Sequence, residues 1–430
     1  MENLSKKLER QPAQTRERIR LISRVAGELN CRVFIVGGFV RDLIMGVKDF
    51  DLDITAEIDG IALAERLNRD FNGRFSQHKR FGTASIVLPD KSKLDVATSR
   101  KEIYETPASL PRVFPGTIRD DLARRDFSIN AIAVDVSPDG FGEVVDFFQG
   151  RQDIRCGLIR VLHDLSFIDD PTRMLRAVRF EQRFGFKIEG RSLSLLHQAC
   201  GQKMLEQVHS HRLRDEFILI LKEPQALKCL KRMKELCGFD FIRQGFHLTE
   251  AQFSRLEKVS KVYHWYQKNC AHKHKVELWL LYLMVILEGL EIEQLKITLK
   301  EFAFHKRECD KVISFKMDIP KVIPHLETAA SPSHIYKILF PLSYEAVLLI
   351  LLRDDNPSFG LKVKDYLQHH SRGQIHLKGE DLKGLGITPG PRFQEILKRL
   401  LYAKLDAKFK DREGELEYLK NEVLNKGDVL

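Results

Sequence analysis

Residues 31–56 read CRVFIVGGFVRDLIMGVKDFDLDITA and bring several elements together in a short stretch. The apolar run Cys31 to Val36 predicts a buried strand that runs into a turn at Gly37 and Gly38. Residues 40–46 predict the start of a helix, and the alternation of acidic and apolar residues over 49–55 predicts a second strand. A strand, a glycine turn, a helix and a further strand indicate a domain that mixes α and β structure.

The rest of the chain changes from mixed to helical patterns after about residue 150. Further strands are predicted at residues 84–88, 93–96 and 144–147. Helices are predicted at residues 16–29, 170–184, 193–199, 212–221, 276–287, 343–352 and 392–405. Loops are predicted at residues 354–360 and 379–391, where Gly and Pro accumulate. The patterns therefore predict an α/β or α+β head, followed by a region that is almost entirely helical.

Composition restricts the class of protein. With 430 residues, 43% of them apolar, the chain is long and apolar enough for several globular domains. The longest apolar run, Leu278–Leu287, is ten residues, whereas a bilayer span needs roughly 20. Because the N-terminus is charged where a signal peptide is apolar, we expect no membrane association and a cytoplasmic location. Seven scattered cysteines predict free thiols without a disulfide partner, and the net charge of +10 favours a polyanionic partner.

The glycine pair and the acidic strand together form a candidate catalytic site. Gly37 and Gly38 let backbone N–H groups approach a triphosphate with no Cβ in the way. Asp51 and Asp53 are two apart in a strand, so both carboxylates leave one face, which suits Mg²⁺. Asp95, in a later strand, would complete a two-metal site if it lies beside them. The alternative is that these are edge-strand acids facing water.

Four ordered motifs resemble one family. GG-x-VRD at 37–42, D-x-D at 51–53, RRD at 124–126 and D-x-x-R at 170–173 resemble the class II tRNA nucleotidyltransferase and bacterial poly(A) polymerase family of the polymerase β superfamily. The resemblance extends from residue 34 to about residue 190. It implies an α+β fold: a nucleotidyltransferase head with a mixed sheet, followed by an all-helical neck, body and tail. The implied boundaries are an N-terminal helix at 1–30, the head at 31–150, a neck with the base-recognition motif at 151–215, the body at 216–360 and a tRNA-contacting tail at 361–430.

The resemblance also assigns roles by position. It implies that Asp51 and Asp53 bind Mg²⁺, with Asp95 as a third catalytic carboxylate. The nucleotide-binding residues that it implies are Gly37, Gly38, Arg41, Arg124, Arg125, Asp126, Asp170, Arg173, Arg176 and Arg179. The family usually has glutamate where this chain has Asp169, so the chain departs from the family pattern at one supporting contact.

Asp170 and Arg173 also suit base recognition on chemical grounds. CTP and ATP both present an amino donor beside an unprotonated ring nitrogen, so one carboxylate and one guanidinium can pair with either. UTP and GTP present a carbonyl and an N–H there, which leaves buried groups unpaired. The alternative is that Asp170 before Pro171 caps a helix and that Arg173, Arg176 and Arg179 form a solvated stripe.

The C-terminal segment is strongly basic. Residues 361–410 hold eleven Lys and Arg against five Asp and Glu. Such charge suits an RNA backbone, and solvated lysines are the alternative. The RNA contacts we predict are Lys383, Arg392, Lys398, Arg399 and Lys404.

The function predicted from these features is template-independent addition of all or part of the 3′-terminal CCA to tRNA from CTP and ATP, with release of pyrophosphate. A partial enzyme would add only CC or only A. The alternatives are a poly(A) polymerase and a non-catalytic RNA-binding protein. The segment Ser99–Pro115 lies between motifs that all the enzymatic types share, and its sequence predicts no role.

Overall fold

A computed structural model describes residues 3–47, 52–270, 274–353, 357–371 and 373–424. The chain divides into two compact units, Met1–Gln244 and Gly245–Leu430, each described by itself. The division falls inside the region predicted as the body, and the boundaries predicted from the sequence stay predictions.

The first unit contains the strands. They are β1 (Val33–Val36), β2 (Leu52–Ala56), β3 (Arg74–His78), β4 (Thr83–Val87), β5 (Lys93–Thr98), β6 (Arg100–Ile103), β7 (Arg112–Pro115), β8 (Ala133–Asp135), β9 (Val144–Val145), β10 (Leu158–Ile159) and β11 (Lys187–Ile188). Seven of them form one sheet in the order β3-β4-β5-β2-β1-β8-β9. Within it β2 and β5 are parallel and the other neighbours antiparallel. The predicted mixed sheet is therefore confirmed.

Helices of the first unit cover and follow this sheet. They are α1 (Ser5–Glu9), α2 (Ala13–Glu28), α3 (Gly38–Met45), α4 (Gly60–Phe71), α5 (Ile118–Ala123), α6 (Gly150–Cys156), α7 (Ser166–Asp169), α8 (Thr172–Phe184), α9 (Gly190–Gly201), α10 (Ser210–Lys222) and α11 (Ala226–Leu236). The predicted order of strand, glycine turn and helix over 31–46 is confirmed, since the buried β1 leads into α3. The beginning of the predicted second strand, with Asp49 and Asp51, lies outside the described residues.

The second unit is helical throughout its described residues. Its helices are α12 (Glu250–Cys270), α13 (Leu278–Leu287), α14 (Ile292–Glu301), α15 (Lys306–Thr328), α16 (Pro332–Leu339), α17 (Tyr344–Ile350), α18 (Pro357–Asp365), α19 (Gly379–Gly384), α20 (Pro391–Leu405) and α21 (Arg412–Tyr418). The apolar run predicted as a helix is α13, which is buried along nine of its ten residues. In the described ranges, no helix combines the length and apolar character that a membrane span requires.

Several predicted elements need correction. Helix α18 begins at Pro357, inside the predicted loop 354–360, because proline is compatible with the first turn of a helix. Helix α19 occupies the first half of the predicted loop 379–391; the Asp381 carboxylate accepts the Lys378 N–H at 2.8 Å and closes its first turn. The predicted neck also carries one short parallel strand pair, β10 with β11. Residues 354–356 lie outside the described part.

The helix α4 packs so closely on β5 that only glycine fits at its first residue. A Cβ at Gly60 would lie 2.5 Å from both the Ala97 carbonyl carbon and the Thr98 nitrogen. We predict that Gly60→Ala lowers the free energy of unfolding by about 1–3 kcal/mol, since backbone must move to admit the methyl group. Gly190 opens α9 with nothing within 4 Å of its Cβ position, so Gly190→Ala is the matched control. Urea unfolding of both variants checks this, and equal stability of the two would contradict the close packing.

Candidate active site

A cavity of about 450 Å³ opens in the first unit, where the turn after β1 faces helix α8. Ten of the residues predicted to act on the nucleotide line it: Gly37, Gly38, Arg41, Asp53, Arg124, Arg125, Asp126, Asp170, Arg173 and Arg176. Four lining residues were not predicted: Glu102, Tyr104, Asn130 and Phe180. The fold thus gathers side chains that are more than 130 positions apart in sequence around one cavity.

The glycine turn forms one wall of the cavity. Gly37 has a φ of +72°, a conformation that favours glycine. A Cβ on Gly37 would also lie 2.8 Å from Nη1 of Arg125. At Gly38 a Cβ would lie 3.5 Å from Nη2 of Arg41. The two glycines therefore allow guanidinium groups to approach the backbone at the start of α3.

The predicted metal ligands are placed in part. Asp53 is the one exposed residue of β2, and its Cα pairs with that of Asp95 across the parallel strands. Paired residues project from the same face of a sheet, so the two carboxylates are neighbours. The Asp95 carboxylate accepts a hydrogen bond from Ser85 Oγ and lies 2.7 Å from Lys93 Nζ. Two adjacent carboxylates fit a hard cation, although no group of three acidic, His or Cys ligands occurs among the described residues, from which Asp51 is absent.

Asp95 is not one of the residues that line the cavity in the described part of the chain. Its role as a third catalytic carboxylate stays a prediction.

The arginines of α8 are not a solvated stripe. Arg173 and Arg179 are buried, and Arg176 is partly buried. Arg173 donates to Ser166 Oγ at 2.7 Å and to the Arg124 carbonyl at 2.8 Å. Burial of three cations on one helix requires acidic and polar partners, which the surrounding elements provide. The solvated-stripe interpretation is therefore wrong.

Arg179 is not among the described residues that line the cavity, and its role in nucleotide binding stays a prediction. Its guanidinium lies 3.4 Å from carboxylate oxygens of Glu216 and Glu223 and 4.8 Å from the centre of the Phe180 ring. Six residues along a helix rotate the side chain about 120° away from Arg173. Arg179 therefore packs against α10 and the residue that follows it.

Asp126 and Arg176 form a buried ion pair at the base of the cavity. Arg176 donates from Nε and Nη2 to Asp126 Oδ2 at 2.9 and 2.7 Å, and from Nη1 to Glu216 Oε1 at 2.8 Å. Asp126 Oδ1 accepts from the Phe127 N–H and from Asn130 Nδ2. Burial disfavours the charged carboxylate, but the charge of Arg176 and the hydrogen bonds outweigh it and lower the pKa of Asp126 to about 2.

Other arginines of the site are also held by acids. Arg41 binds Asp42 with two nitrogens, at 2.8 and 3.0 Å, and donates to Asn130 at 2.7 Å. Arg124 and Arg125 both bind Asp121, whose side chain is fully buried. These cations are fixed before any substrate arrives, which suits the binding of triphosphate oxygens.

Asp170 makes a capping contact and also lines the cavity. Its Oδ1 accepts from the Thr172 N–H at 3.1 Å and from Thr172 Oγ1 at 2.6 Å, which is a capping contact for α8. A third donor to Oδ1 is Arg212 Nη2 at 2.8 Å. All three hydrogen bonds that the described residues make to this carboxylate fall on Oδ1. Because Asp170 also lines the cavity, its Oδ2 can accept from a ligand.

The segment Ser99–Pro115 contributes Glu102 and Tyr104 to the cavity. Strands β6 and β7 form a two-stranded antiparallel pair within Ser99–Pro115. Glu102 Oε1 accepts from Arg100 and Arg124, and the Tyr104 hydroxyl donates to Glu102 Oε2 at 3.2 Å. Burial, followed by the charge of Glu102, raises the pKa of Tyr104 to about 12, so the phenol is neutral at physiological pH.

The predicted RNA contacts lie in the second unit. Lys383, Arg392, Lys398 and Arg399 are exposed. Lys404 is different, because its Nζ lies 3.1 Å from the fully buried carboxylate of Glu415. Burial opposes the ionisation of Glu415, yet the N–H of Leu377 and the Lys404 ammonium lower its pKa. Lys404 thus helps to hold the fold, and its assignment as an RNA contact stays a prediction.

A mixed sheet with a glycine turn, an acidic strand and a row of fixed arginines defines a nucleotidyltransferase head. Residues 33–160 match the family described as the Poly A polymerase head domain. The A-adding tRNA nucleotidyltransferase of Geobacter sulfurreducens is 36% identical over 94% of this chain and 47% of its own length. That of Halalkalibacterium halodurans is 32% identical over 96% and 90%. The solved Thermotoga maritima CCA-adding enzyme complexed with tRNA has a TM-score of 0.75 and 33% identity, covering 97% of this chain and 98% of that one.

The chain belongs to the family of tRNA nucleotidyltransferases that the sequence motifs indicated. It spans about half the length of the Geobacter relative.

The Asp126–Arg176 pair predicts a specific dependence of stability on pH. Because the pKa of Asp126 is lowered from 3.8 to about 2, its stabilising contribution is complete above pH 3.8 and is lost as the pH falls through 2. We predict that wild-type unfolding free energy loses about 2 kcal/mol from this group over that range, and that Asp126→Asn lacks this component. Urea unfolding from pH 5 to pH 2 measures it. The exposed Asp164→Asn is the control, and identical pH profiles for all three proteins would contradict the assignment.

Proposed function

We propose that this chain is a template-independent nucleotidyltransferase that extends the 3′ end of tRNA with CTP or ATP and releases pyrophosphate, as predicted from the sequence. One observation carries the proposal: Asp53 and the glycine turn share a single cavity with Asp170 and Arg173. A group that reads a base and groups suited to phosphate chemistry therefore face the same bound nucleotide. A protein that only binds RNA needs no such combination.

We assign base selection to Asp170 and Arg173, which together form the proposed base reader. Asp170 Oδ2 accepts the exocyclic amino group of adenine or cytosine, and Arg173 donates to the neighbouring ring nitrogen. The Arg173 guanidinium is fixed by Ser166 Oγ and the Arg124 carbonyl, so it does not need to reorganise on binding. Uracil and guanine would place a carbonyl against the carboxylate, which leaves two acceptors facing each other.

Other residues that line the cavity would bind the triphosphate and select the ribose. Backbone N–H groups at the start of α3 and the guanidinium groups of Arg124 and Arg125 would hold the triphosphate. The carboxylate of Asp126 is committed to Arg176 and Asn130, so we assign it to shaping the ribose pocket through these partners. This placement sets the α-phosphate near Asp53.

We propose that Asp51 and Asp53 hold Mg²⁺, with Asp95 as a third carboxylate. The bound cation would lower the pKa of the RNA 3′-hydroxyl and stabilise the pyrophosphate leaving group. The exposure of Asp53 at the cavity supports this assignment.

The relatives favour terminal adenosine addition. The Geobacter and Halalkalibacterium relatives are both named A-adding tRNA nucleotidyltransferase, and the latter is covered over 90% of its length. We propose that this chain adds the final A to tRNA ending in CC, in the cytoplasm. Complete CCA addition is the second candidate, because the Thermotoga structure of a CCA-adding enzyme matches almost the whole chain. The exposed cations Lys383, Arg392, Lys398 and Arg399 are proposed to contact the tRNA backbone.

The experiment that tests this function uses three tRNA transcripts, ending at the discriminator base, at C and at CC. Each is incubated with ATP alone, CTP alone and both. The proposal predicts one A added to the CC transcript and no use of CTP. Completion of the CCA end on all three, by addition of CCA, CA and A respectively, would support the second candidate. Long A tails would identify a poly(A) polymerase, and RNA binding without incorporation would identify a binding protein.

A substitution in the acidic strand tests the catalytic assignment. We predict that Asp53→Asn lowers kcat by roughly a thousandfold or more, because a metal site contributes several kcal/mol and each 1.4 kcal/mol is tenfold. tRNA affinity should change by less than about threefold, since phosphate contacts lie elsewhere. Single-turnover kinetics and filter binding measure the two effects.

Asp95→Asn is the matched variant on the paired strand. A loss of kcat equal to that of Asp53→Asn would establish Asp95 as a third ligand. A smaller loss would indicate that Asp95 serves only to bind Ser85 and Lys93. Near-normal turnover by Asp53→Asn would rule out the metal assignment.

A further inference from the structure

Arg212, on helix α10, holds the carboxylate that reads the base. Its Nη2 donates to Asp170 Oδ1 at 2.8 Å, and both side chains are less than 20% exposed. Arg212 is not one of the described residues that line the cavity. Its contact with the cavity residues therefore runs through Asp170.

The three donors on Asp170 Oδ1 fix the orientation of the carboxylate relative to the base. Thr172 provides two of them, from its N–H and its Oγ1, and Arg212 provides the charged one. With Oδ1 occupied, rotation of the carboxylate would break three hydrogen bonds, one of them charge-assisted. Oδ2 is consequently kept toward the cavity as an acceptor.

Arg212 also connects the reader to the segment that holds Tyr104. Its Nη1 approaches the Ala108 carbonyl at 3.5 Å, and the Ala108 N–H donates to the Ile168 carbonyl at 3.1 Å. Ala108 is buried and has a φ of +58°, an uncommon conformation for a residue other than glycine. The backbone two residues before Asp170 and the carboxylate of Asp170 are thus tied to the same loop residue.

We propose that Arg212 is a positioning residue for base selection: it fixes the orientation of the Asp170 carboxylate and so sets the discrimination between amino-bearing and carbonyl-bearing bases. This inference rests on the proposed function, and it adds a determinant of specificity from a helix outside the recognition motif. Without Arg212 the carboxylate rotates more freely, and the geometry that excludes UTP and GTP is weakened.

The test is Arg212→Met, assayed for single incorporation of all four nucleotides on tRNA ending at CC. We expect kcat/KM for the correct nucleotide to fall about tenfold to a hundredfold, the effect of losing a hydrogen bond between charged groups. The ratio of correct to incorrect incorporation should fall at least threefold. Arg191→Met is the control, because Arg191 also pairs with an aspartate, Asp164, on the surface of the same unit.

A purely structural role predicts a different result. Loss of folded protein lowers the incorporation of all four nucleotides in the same proportion and leaves their ratio unchanged. Thermal unfolding of each variant separates the two explanations. If Arg212→Met does not fold, Arg212→Lys keeps the charge with a less directional donor and should show the same change of ratio to a smaller extent.

A double variant with Asp170→Ala tests whether Arg212 acts through Asp170. Arg212→Met should change ATP use by less than about threefold in the Asp170→Ala background, because the side chain that it orients is already gone. Independent, multiplicative effects would overturn the proposal, as would an unchanged nucleotide ratio in the single variant. If the wild-type protein incorporates no nucleotide, the proposed function fails. If the wild-type protein is active and Arg212→Met gives the same nucleotide ratio as the control Arg191→Met, this inference alone fails.

Discussion

The buried ion pair between Asp126 and Arg176 is the interaction on which the site depends. It joins the turn after α5, which packs on the sheet, to the middle of α8, which carries Arg173 of the proposed base-recognition pair. The carboxylate of Asp126 is buried, and a buried charge without its partner costs about 3–5 kcal/mol, so separation of the two elements is unfavourable. Arg173 lies one turn before Arg176 on the same helix. The ion pair that holds Arg176 therefore also sets the position of Arg173 at the cavity.

Four arginines that line the cavity fall into two groups, according to whether acids or neutral groups hold them. Arg41, Arg124 and Arg176 give most of their donors to Asp42, Asp121, Glu102, Asp126 and Glu216, so they hold the walls in place. Arg173 is held instead by a hydroxyl and a carbonyl, and no carboxylate of the described residues forms an ion pair with it. A fixed guanidinium that meets no carboxylate at close range is well suited to donate to a base.

The sequence predicted those parts of the site that depend on local pattern. Gly37 and Gly38 follow a buried apolar run, and Asp53 alternates with apolar neighbours, so both could be placed without tertiary information. Residues 99–115 could not, because the strand Arg100–Ile103 is almost wholly polar and lacks the apolar alternation that indicates a strand. The role of Arg212 depends on a contact with Asp170, 42 positions away, that no periodicity encodes. The contacts of Arg179 and Lys404 with glutamates could not be predicted for a related reason, since a basic residue beside a motif gives no sign that a glutamate will bind it.

The central claim is that one oxygen of Asp170 selects the base while the other is held by the protein. The most direct measurement is the incorporation of all four nucleotides by Asp170→Asn. Three donors on Oδ1 require the amide oxygen there, so the amide nitrogen would face the cavity as a donor. Discrimination against UTP and GTP should therefore shrink by at least about tenfold, with a loss of ATP use. An unchanged base preference would contradict this account and leave Asp170 as a helix cap, a role that asparagine fills equally well.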